Sequence, residues 1–180
     1  MITFKQYILE SGQSKKTISS DGSAVWYYNT KIHRTDGPAV IRLNGDKEWY
    51  INGQRHRTDG AAIELGSGKK EWYINGQRHR LDGPAIEYPS GRKEWFVDNK
   101  RHRLDGPAIE FSNNEGRVWY VNDRRHRADG PAVEYSDGFK AWYVDGKEMT
   151  EDEFNKWKWK HDQHETLKKA SAETGIELDI

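Results

Sequence analysis

The stretch from Trp72 to Tyr88 reads Trp-Tyr-Ile-Asn-Gly-Gln-Arg-His-Arg-Leu-Asp-Gly-Pro-Ala-Ile-Glu-Tyr, and close copies of it fill most of the chain. Its tryptophan recurs at steps of 23, 23, 23, 24 and 23 residues, as Trp26, Trp49, Trp72, Trp95, Trp119 and Trp142. A fixed period of about 20–50 residues is the sequence signature of a repeat array. We therefore predict one elongated body built from stacked copies of a single unit.

Each unit contains two short segments that are typical of β-strands, joined by a tight turn. Glu-Trp-Tyr-Ile (71–74) and Ala-Ile-Glu-Tyr (85–88) are rich in β-branched and aromatic residues. Asn75-Gly76 between them indicates a type I′ hairpin turn, whose two central positions both need positive φ. The one 24-residue step falls at 112–116, in a turn enlarged by one residue. The sequence thus predicts an all-β fold, a single-layer antiparallel meander of hairpin repeats.

Alternation along the strands assigns their side chains to two faces. Because successive residues of a strand point to opposite faces, we expect Trp72 and Ile74 to share one face. We expect Ile86 and Tyr88 to join them, whereas Tyr73 and Glu87 point to the other face. Stacked units would then align the tryptophans as an aromatic ladder along one side of the sheet.

The composition limits the classes of protein that fit the chain. Its 29 basic residues balance its 29 acidic residues, whereas proteins that coat nucleic acid or an anionic membrane usually carry a basic excess. It contains no cysteine, so disulfide frameworks and thiolate chemistry are excluded. No apolar run approaches the ~20 residues of a membrane span. We therefore expect no membrane association.

The His-Arg-x-Asp-Gly core of each unit is the candidate binding edge. Its members are His33, Arg34, Asp36, His56, Arg57, Asp59, His79, Arg80, Asp82, His102, Arg103, Asp105, His126, Arg127 and Asp129. Equivalent positions lie about 9.6 Å apart, so neighbouring histidines are too distant to share one zinc ion. Catalysis needs one asymmetric group, whereas this group recurs in five near-copies. We expect no enzyme activity, no metal, no cofactor and a scaffold role in which Arg80 pairs with Asp82.

A nucleic-acid interface is the competing interpretation of this edge. Gln-Arg-His-Arg (77–80), Lys-Arg-His-Arg (100–103) and Arg-Arg-His-Arg (124–127) would form a basic stripe beside aromatic strands. Such a combination can follow a phosphate backbone. Each unit also contributes acidic residues such as Asp82 and Glu87, which would cancel much of the field. This hypothesis stays open.

The C-terminal segment (149–180) predicts a helix that covers the last strand. Thr150 and Glu153 have the spacing of a capping box, and the acidic residues of the first turn suit the helix dipole. A helix from about 151 to 172 would place the aromatic stripe of Phe154, Trp157 and His161 over the sheet. An exposed helix that binds a partner is the alternative.

The unit resembles MORN-type repeats. Trp-Tyr-x-Asn-Gly-x-x-His with a closing turn, in a unit of about 23 residues, matches that pattern over residues 25–148. His-Arg-x-Asp-Gly-Pro-Ala stands where MORN repeats have His-Gly-x-Gly. The unit is more similar still to the Trp-Tyr…His-Arg-x-Asp-Gly-Pro-Ala repeats of phage and giant-virus proteins. The resemblance implies a MORN-like β-repeat array in a virus-encoded protein.

Residues 1–10, Met-Ile-Thr-Phe-Lys-Gln-Tyr-Ile-Leu-Glu, are similar to the capsid-targeting peptides of T-even phage internal head proteins. Those peptides end in Leu/Ile-x-Glu, after which the phage prohead protease cuts. Ile8 and Glu10 supply that pattern, Ser11 would become the new N-terminus, and residues 11–24 form a polar linker. The resemblance implies packaging in the virion interior and delivery to the host cytoplasm with the DNA. There the protein would bind and inhibit a host defence protein.

Two alternatives stay open beside this leading hypothesis. The first is a cytoplasmic MORN-variant module, of the immunity type, that binds a protein partner without being packaged. The second is the nucleic-acid interface on the Arg/His edge. All three hypotheses describe a non-enzymatic protein, and they differ in its location and its partner.

Overall fold

A computed structural model describes residues 14–174 of the 180-residue chain. These residues form a long antiparallel β-sheet with short hairpins, followed by one C-terminal α-helix. The predicted all-β repeat meander is confirmed. The predicted processing residues Ile8, Glu10 and Ser11 lie outside the described residues.

The strands are short and follow one another in chain order. They are β1 (Lys15–Ile18), β2 (Ala24–Tyr28), β3 (Lys31–Ile32), β4 (Val40–Ile41), β5 (Lys47–Glu48), β6 (Tyr50–Ile51), β7 (Gln54–Arg55), β8 (Ile63–Glu64), β9 (Lys70–Glu71), β10 (Tyr73–Ile74), β11 (Gln77–Arg78), β12 (Ile86–Glu87), β13 (Lys93–Glu94), β14 (Phe96–Val97), β15 (Lys100–Arg101), β16 (Ile109–Glu110), β17 (Gly116–Val118), β18 (Tyr120–Val121), β19 (Arg124–Arg125), β20 (Val133–Tyr135), β21 (Lys140–Val144) and β22 (Lys147–Met149). The long sheet has the order β1-β2-β4-β5-β8-β9-β12-β13-β16-β17-β20-β21-β22, and β3 pairs with β2. The remaining strands form the hairpins β6–β7, β10–β11, β14–β15 and β18–β19.

Each inner unit is interrupted at its tryptophan, which divides the unit between the long sheet and a hairpin. In the central unit β9 ends before Trp72 and β10 begins after it. The Trp72 N–H donates to the Ala85 carbonyl at 2.9 Å, and the Trp72 carbonyl accepts from the His79 N–H at 3.2 Å. Because both backbone groups stay paired, the interruption leaves no buried orphan group at this residue.

The hairpins are also joined to one another by backbone hydrogen bonds. The Arg80 N–H donates to the Phe96 carbonyl at 3.1 Å, and the Asn99 N–H donates to the Arg78 carbonyl at 2.9 Å. Equivalent bonds link the other neighbouring hairpins. We call the long sheet the strand wing and the linked hairpins the hairpin wing. Each inner unit therefore contributes two strands to the continuous meander of the strand wing and one hairpin to the hairpin wing.

The turn predictions are confirmed by the backbone angles. Asn75 has φ 49° and Gly76 has φ 79°, so both central residues of this turn are at positive φ, as type I′ requires. Asp98 and Asn99 adopt the same conformation without glycine, with φ 48° and 65°. The enlarged turn contains the 3-10 segment Ser112–Asn114, inside the predicted range 112–116.

The register of the strand wing produces one row of side chains on each of its faces. The row on the first face consists of Val25, Val40, Glu48, Ile63, Glu71, Ile86, Glu94, Ile109, Val118, Val133 and Ala141. The row on the opposite face alternates in charge, as Lys47, Glu64, Lys70, Glu87, Lys93, Glu110, Arg117, Glu134 and Lys140. We call the first the glutamate face. The second is the tryptophan face, since it also carries the repeated tryptophans.

The predicted grouping of Trp72 with Ile86 and Tyr88 is wrong. Ile86 lies directly opposite Glu71 in the strand wing, and directly opposite residues point to the same face. Tyr73 is buried, and its hydroxyl donates to Glu71 Oε2 at 2.9 Å, so it also lies on the glutamate face. Trp72 therefore points to the opposite face. Alternation fixes the faces within one strand, whereas the register between strands could not be derived from it.

The core is a thin layer, with alanines such as Ala85 toward the tryptophan face and the buried isoleucine and aromatic side chains on the glutamate face. One cluster contains Ala85, Ile86 and Phe96, which are 0%, 4% and 5% exposed, and a similar one is built around Ile63 and Tyr73. Since aromatic side chains bury large areas, one ring per unit covers much of this face. The shallow core agrees with the low aliphatic content of the sequence.

Residues 15–18 are a strand, whereas the sequence analysis placed a polar linker over 11–24. Strand β1 pairs with β2, with Lys15 opposite Tyr27 and Ile18 opposite Ala24. All four side chains of β1 are exposed, so the strand has no hydrophobic alternation that could have predicted it. Backbone pairing with the edge of the sheet holds it.

The C-terminal helix α1 (Glu151–Thr174) begins at the predicted capping box. The Thr150 N–H donates to Glu153 Oε2 at 2.8 Å, and the Glu153 N–H donates to Thr150 Oγ1 at 3.2 Å. The helix contacts β21 and β22, and Phe154 in its first turn is 2% exposed. Along the predicted stripe Trp157 is half-buried and His161 is exposed, so the helix covers the end of the sheet with its first turns only.

Candidate functional site

The predicted His-Arg-x-Asp groups lie in loops at the junction of the two wings. Loop 79–84 starts beside the hairpin, where the His79 N–H bonds to the Trp72 carbonyl, and ends at Ala85, whose carbonyl accepts from the Trp72 N–H. The same pattern recurs in loops 33–38, 56–61, 102–107 and 126–131. We call this succession of loops the loop edge. The structure therefore brings the predicted residues together within each unit and repeats them along one edge.

Arg80 is the centre of the contacts within its loop. Its guanidinium Cζ lies 4.1 Å from the centre of the Trp72 ring, at a distance typical of a cation–π contact. Nε donates to Asp82 Oδ1 at 2.9 Å, and Nη1 donates to the Pro84 carbonyl at 3.2 Å and to Glu87 Oε1 at 3.1 Å. The same stacking occurs at Arg34 on Trp26, Arg57 on Trp49, Arg103 on Trp95 and Arg127 on Trp119, at 4.1, 4.0, 4.1 and 3.9 Å.

These contacts give the repeated arginine and aspartate a structural role. The predicted pair of Arg80 and Asp82 is present, and the hydrogen bond from Arg80 holds the pKa of the Asp82 carboxyl below its ordinary value. The Arg80 side chain is 23% exposed, so it lies beneath Asp82, which is 85% exposed. Arg80 therefore connects the Trp72 ring, the turn at Asp82 and Glu87 of the charged row.

The glycine of each loop makes room for this arginine. A Cβ atom built on Gly83 would lie 2.9 Å from Arg80 Cζ, which is closer than Cβ atoms approach other heavy atoms. Gly60 and Gly106 have the same distance to their own arginines. The absence of a side chain at this glycine therefore lets the guanidinium pack flat against the turn, and a Cβ atom there would displace it.

The tryptophans do not stack on one another as a ladder. None of the aromatic pairs found in residues 14–174 joins two tryptophans. Each ring from Trp26 to Trp119 is half-buried and has an arginine over it instead. Trp142 has no such cation among the described residues, because the last unit has no His-Arg-x-Asp loop.

The histidines connect each loop to the turn of the next unit. His56 Nδ1 lies 2.8 Å from Asn75 Oδ1 and accepts the Asn75 N–H at 3.2 Å. His79 contacts Asp98 in the same way, with Nδ1 2.8 Å from Oδ1. In the part of the chain that the structure describes, no three His, Cys, Asp or Glu side chains are grouped to hold a metal ion. The histidines thus link neighbouring units.

The predicted basic stripe is divided between the two faces. Arg80 lies on the tryptophan face, whereas Arg78 lies on the glutamate face, where its Nε donates to Glu71 Oε2 at 3.1 Å. Arg78 Cζ also lies 5.5 Å from the Tyr73 ring and 5.8 Å from the Phe96 ring. Both arginines are therefore paired with carboxylates, and they do not form one basic surface.

Three buried glutamates were missed by the sequence analysis: Glu48, Glu71 and Glu94, which are 3%, 6% and 3% exposed. Glu71 accepts hydrogen bonds from Lys69, Tyr73 and Arg78 at 2.7, 2.9 and 3.1 Å. Burial by itself raises the pKa of this carboxyl, but the three donors outweigh it and hold the pKa below its ordinary value. A basic residue seven positions after each glutamate, with a second basic residue two before Glu71 and Glu94 but six before Glu48, is the signal that could have identified these sites.

Two open grooves lie between successive loops of the loop edge. The first has a volume of about 750 Å³ and is lined by the loop from Arg80 to Pro84, by Trp95 and Val97, and by the loop from His102 to Asp105. The second, of about 630 Å³, is its equivalent one unit further on, at Trp119 and Val121. Leu81 and Leu104, at the exposed position of their loops, are each 80% exposed. The loop edge can therefore hold apolar groups at regular intervals.

No family model matches the chain, and no curated protein sequence shows significant similarity to it. Within residues 14–174, no helix has both the length and the apolar character needed to cross a membrane.

Proposed function

We propose that this chain is a non-enzymatic interaction protein that binds a protein partner along its loop edge. The observation that carries the proposal is the repetition of partly apolar grooves between loops whose polar side chains already bond to one another. Leu81 and Leu104 stand 80% exposed beside these grooves. Exposed apolar groups arranged in a rigid frame are typical of interaction surfaces.

We propose further that the protein is packaged in a phage head and delivered with the DNA, and that its partner is a host defence protein. The support for this step is the resemblance of residues 1–10 to capsid-targeting peptides, with Ile8 and Glu10 as the cleavage signal. A rigid repeat array that catalyses no reaction can still inhibit an enzyme by covering its surface.

Mass spectrometry of the protein from purified particles tests the packaging step. The expected result is a mature chain that begins at Ser11, and a Glu10→Ala variant should keep residues 1–10. An intact N-terminus on the packaged protein would refute the processing. Absence of the protein from particles would refute packaging and favour the cytoplasmic module.

Partner capture from host lysate tests the loop edge itself. We expect the intact chain to retain a host protein that a Leu81→Thr, Leu104→Thr double variant loses. Thr35 and Thr58 occupy this loop position in the first two loops, so the double variant keeps a residue that the fold already accepts. Equal capture by both chains would place the binding surface elsewhere and refute the proposal.

The arginine geometry does not favour the nucleic-acid alternative. Arg80, Arg103 and Arg127 are 21–23% exposed, and each is paired with an aspartate and a glutamate. Phosphate binding along this edge would have to replace those carboxylates.

A further inference from the structure

The grooves of the loop edge recur at a fixed spacing. Successive units are two strands apart in the strand wing, as in the order β12-β13-β16-β17. Neighbouring strands are separated by about 4.7–4.9 Å, so equivalent grooves are about 9.4–9.8 Å apart. A ligand chain that lies along the loop edge therefore meets an equivalent groove at this interval.

One regular backbone conformation has this period. A polyproline II helix has three residues per turn and a rise of about 3.1 Å, so every third side chain returns to the same side after about 9.3 Å. A β-strand returns after two residues, at about 6.6–6.8 Å, and an α-helix turn advances about 5.4 Å. The spacing of the grooves thus matches polyproline II and neither of the other two.

The lining of the grooves suits the same ligand. Trp95 and Val97 line the first groove together with Pro84, and Leu81 and Leu104 stand at its sides. Grooves lined by aromatic side chains are the usual sites of proline-rich segments, because the ligand is already extended and loses little entropy on binding. The apolar surfaces here are of the kind that proline and leucine side chains cover.

The exposed aspartates of the loops form the rim of the grooves, and their charge indicates which charge the ligand should carry. Asp82, Asp105 and Asp129 are 85%, 84% and 76% exposed, whereas the arginines paired with them are 21–23% exposed and lie beneath. A ligand approaching the loop edge therefore meets carboxylates first. Arginine or lysine in the ligand complements this rim.

We infer that the loop edge binds a proline-rich segment in the polyproline II conformation, with an apolar residue at every third position and a basic residue beside them. The inference rests on the proposed function and specifies the chemistry of the partner. One apolar side chain enters each groove, and the basic side chain pairs with a rim aspartate.

Isothermal titration with a synthetic peptide tests the inference on the full chain. The probe is Arg-(Pro-Pro-Leu)₄-amide, and the comparison peptide is Arg-(Gly-Gly-Leu)₄-amide, which has the same leucine spacing without a preformed helix. We expect the proline peptide to bind ~10-fold or more tightly than the glycine peptide, since preorganisation lowers the entropy cost of binding. A peptide of the same composition with irregular leucine spacing should also bind less tightly.

Matched variants locate the binding. Leu81→Thr with Leu104→Thr should weaken binding of the proline peptide by about tenfold, because apolar area in both groove walls is lost. Leu43→Thr is the control, since Leu43 is 81% exposed and lies outside the loops. Thermal unfolding of each variant should match that of the original chain, which shows that the fold is kept.

The outcomes separate this inference from the proposed function. Equal binding of the proline and glycine peptides, equal effects of the two sets of variants, or no binding of any peptide would overturn the inference. If the double variant nevertheless loses a partner from lysate, the loop edge remains a binding surface and only the proline-rich occupant is refuted. If neither peptide binding nor partner capture depends on Leu81 and Leu104, the proposed function fails as well.

Discussion

The glutamate face is built in two different ways, although its strands and register continue without change. In the central units the residue before the tryptophan is Glu48, Glu71 or Glu94, and each of these buried carboxylates pairs with two basic side chains. In the C-terminal units the same position is Val118 or Ala141. One part of the row is ionic and the other is aliphatic.

The side chains around the residue before the tryptophan also differ between the central and the C-terminal units. Val118 belongs to an aliphatic cluster and is 4% exposed. Arg125, the counterpart of Arg78, has no carboxylate partner among the described residues and lies near the hydroxyls of Tyr120 and Tyr143, at 3.4 and 3.2 Å. The backbone pairing therefore supports either arrangement, provided that the neighbouring side chains match. The repeat is therefore defined by its hydrogen-bonded frame, and the core side chains are exchangeable within it.

Val118→Glu, which puts a glutamate into the aliphatic part of the row, should have the largest effect on stability. The new carboxylate would be buried in an aliphatic cluster, with Arg125 as its one basic neighbour from the pattern, since Gly116 replaces the residue that is Lys69 or Arg92 in other units. A buried charge without full pairing is strongly destabilising, so we expect the free energy of unfolding to fall by about 3 kcal/mol. Urea denaturation followed by tryptophan fluorescence measures it.

The reciprocal change is the matched control. Glu71→Val puts an aliphatic residue in the central row, and the released Lys69 and Arg78 are 26% and 39% exposed, so water can solvate them. The buried Tyr73 hydroxyl, however, loses its acceptor, so we expect a loss of about 1–2 kcal/mol, smaller than for Val118→Glu because no charge is left buried away from water. A loss for Glu71→Val as large as that for Val118→Glu would contradict the interpretation of the row as exchangeable.

Acid should weaken the central units more than the C-terminal ones, with a smaller effect. Burial raises the pKa of Glu48 and Glu71, but hydrogen bonds from their basic and tyrosine partners outweigh it, so both pKa values lie below the ordinary 4.5. A carboxyl with a lowered pKa in the folded state contributes stability that is fully present above its unfolded pKa. That stability is lost as the pH falls below about 4.5 toward the folded pKa. Chemical denaturation at several pH values between 7 and 3 should show this decline.

A Glu48→Val, Glu71→Val double variant isolates the contribution of the buried carboxyls. It keeps Asp36, Asp59 and the other exposed aspartates with lowered pKa values, so part of the acid sensitivity should remain. The decline in stability with falling pH should nevertheless be shallower than in the original chain. An unchanged pH profile would show that the buried pairs do not titrate in this range.

Most of the frame could be predicted from the sequence because it depends on local chemistry. The period came from Trp26 to Trp142, the turns from Asn-Gly, and the helix start from Thr150 and Glu153. The turn and cap signals each act within a few residues, and the period follows from comparing one unit with the next. Strand β1 was not predicted, since its exposed side chains follow no alternating pattern.

The chemistry of the loop edge was predicted in part. The pairing of Arg80 with Asp82 followed from two neighbouring residues, and the structure contains it. The stacking of Arg80 on Trp72 and the buried position of Glu71 depend on the register between strands, which alternation within a strand does not determine. The faces were therefore assigned wrongly, even though the segments that form strands were identified correctly.

Arg125→Leu should have the smallest effect, because Arg125 belongs to the aliphatic part of the glutamate face. Arg125 neutralises no carboxylate among the described residues, and its hydrogen bonds to Tyr120 and Tyr143 are exposed and long. We expect the free energy of unfolding to change by about 0.5 kcal/mol or less, as for an ordinary surface substitution.

Arg78→Leu is its matched partner, because it leaves Glu71 buried with Lys69 as the remaining cation. Removing one partner of a buried pair should cost about 2 kcal/mol here, below the usual range because Arg78 is partly exposed. Equal effects of the two substitutions would mean that the buried glutamates do not depend on the arginines, and the distinction between an ionic and an aliphatic part of the face would then lose its energetic basis.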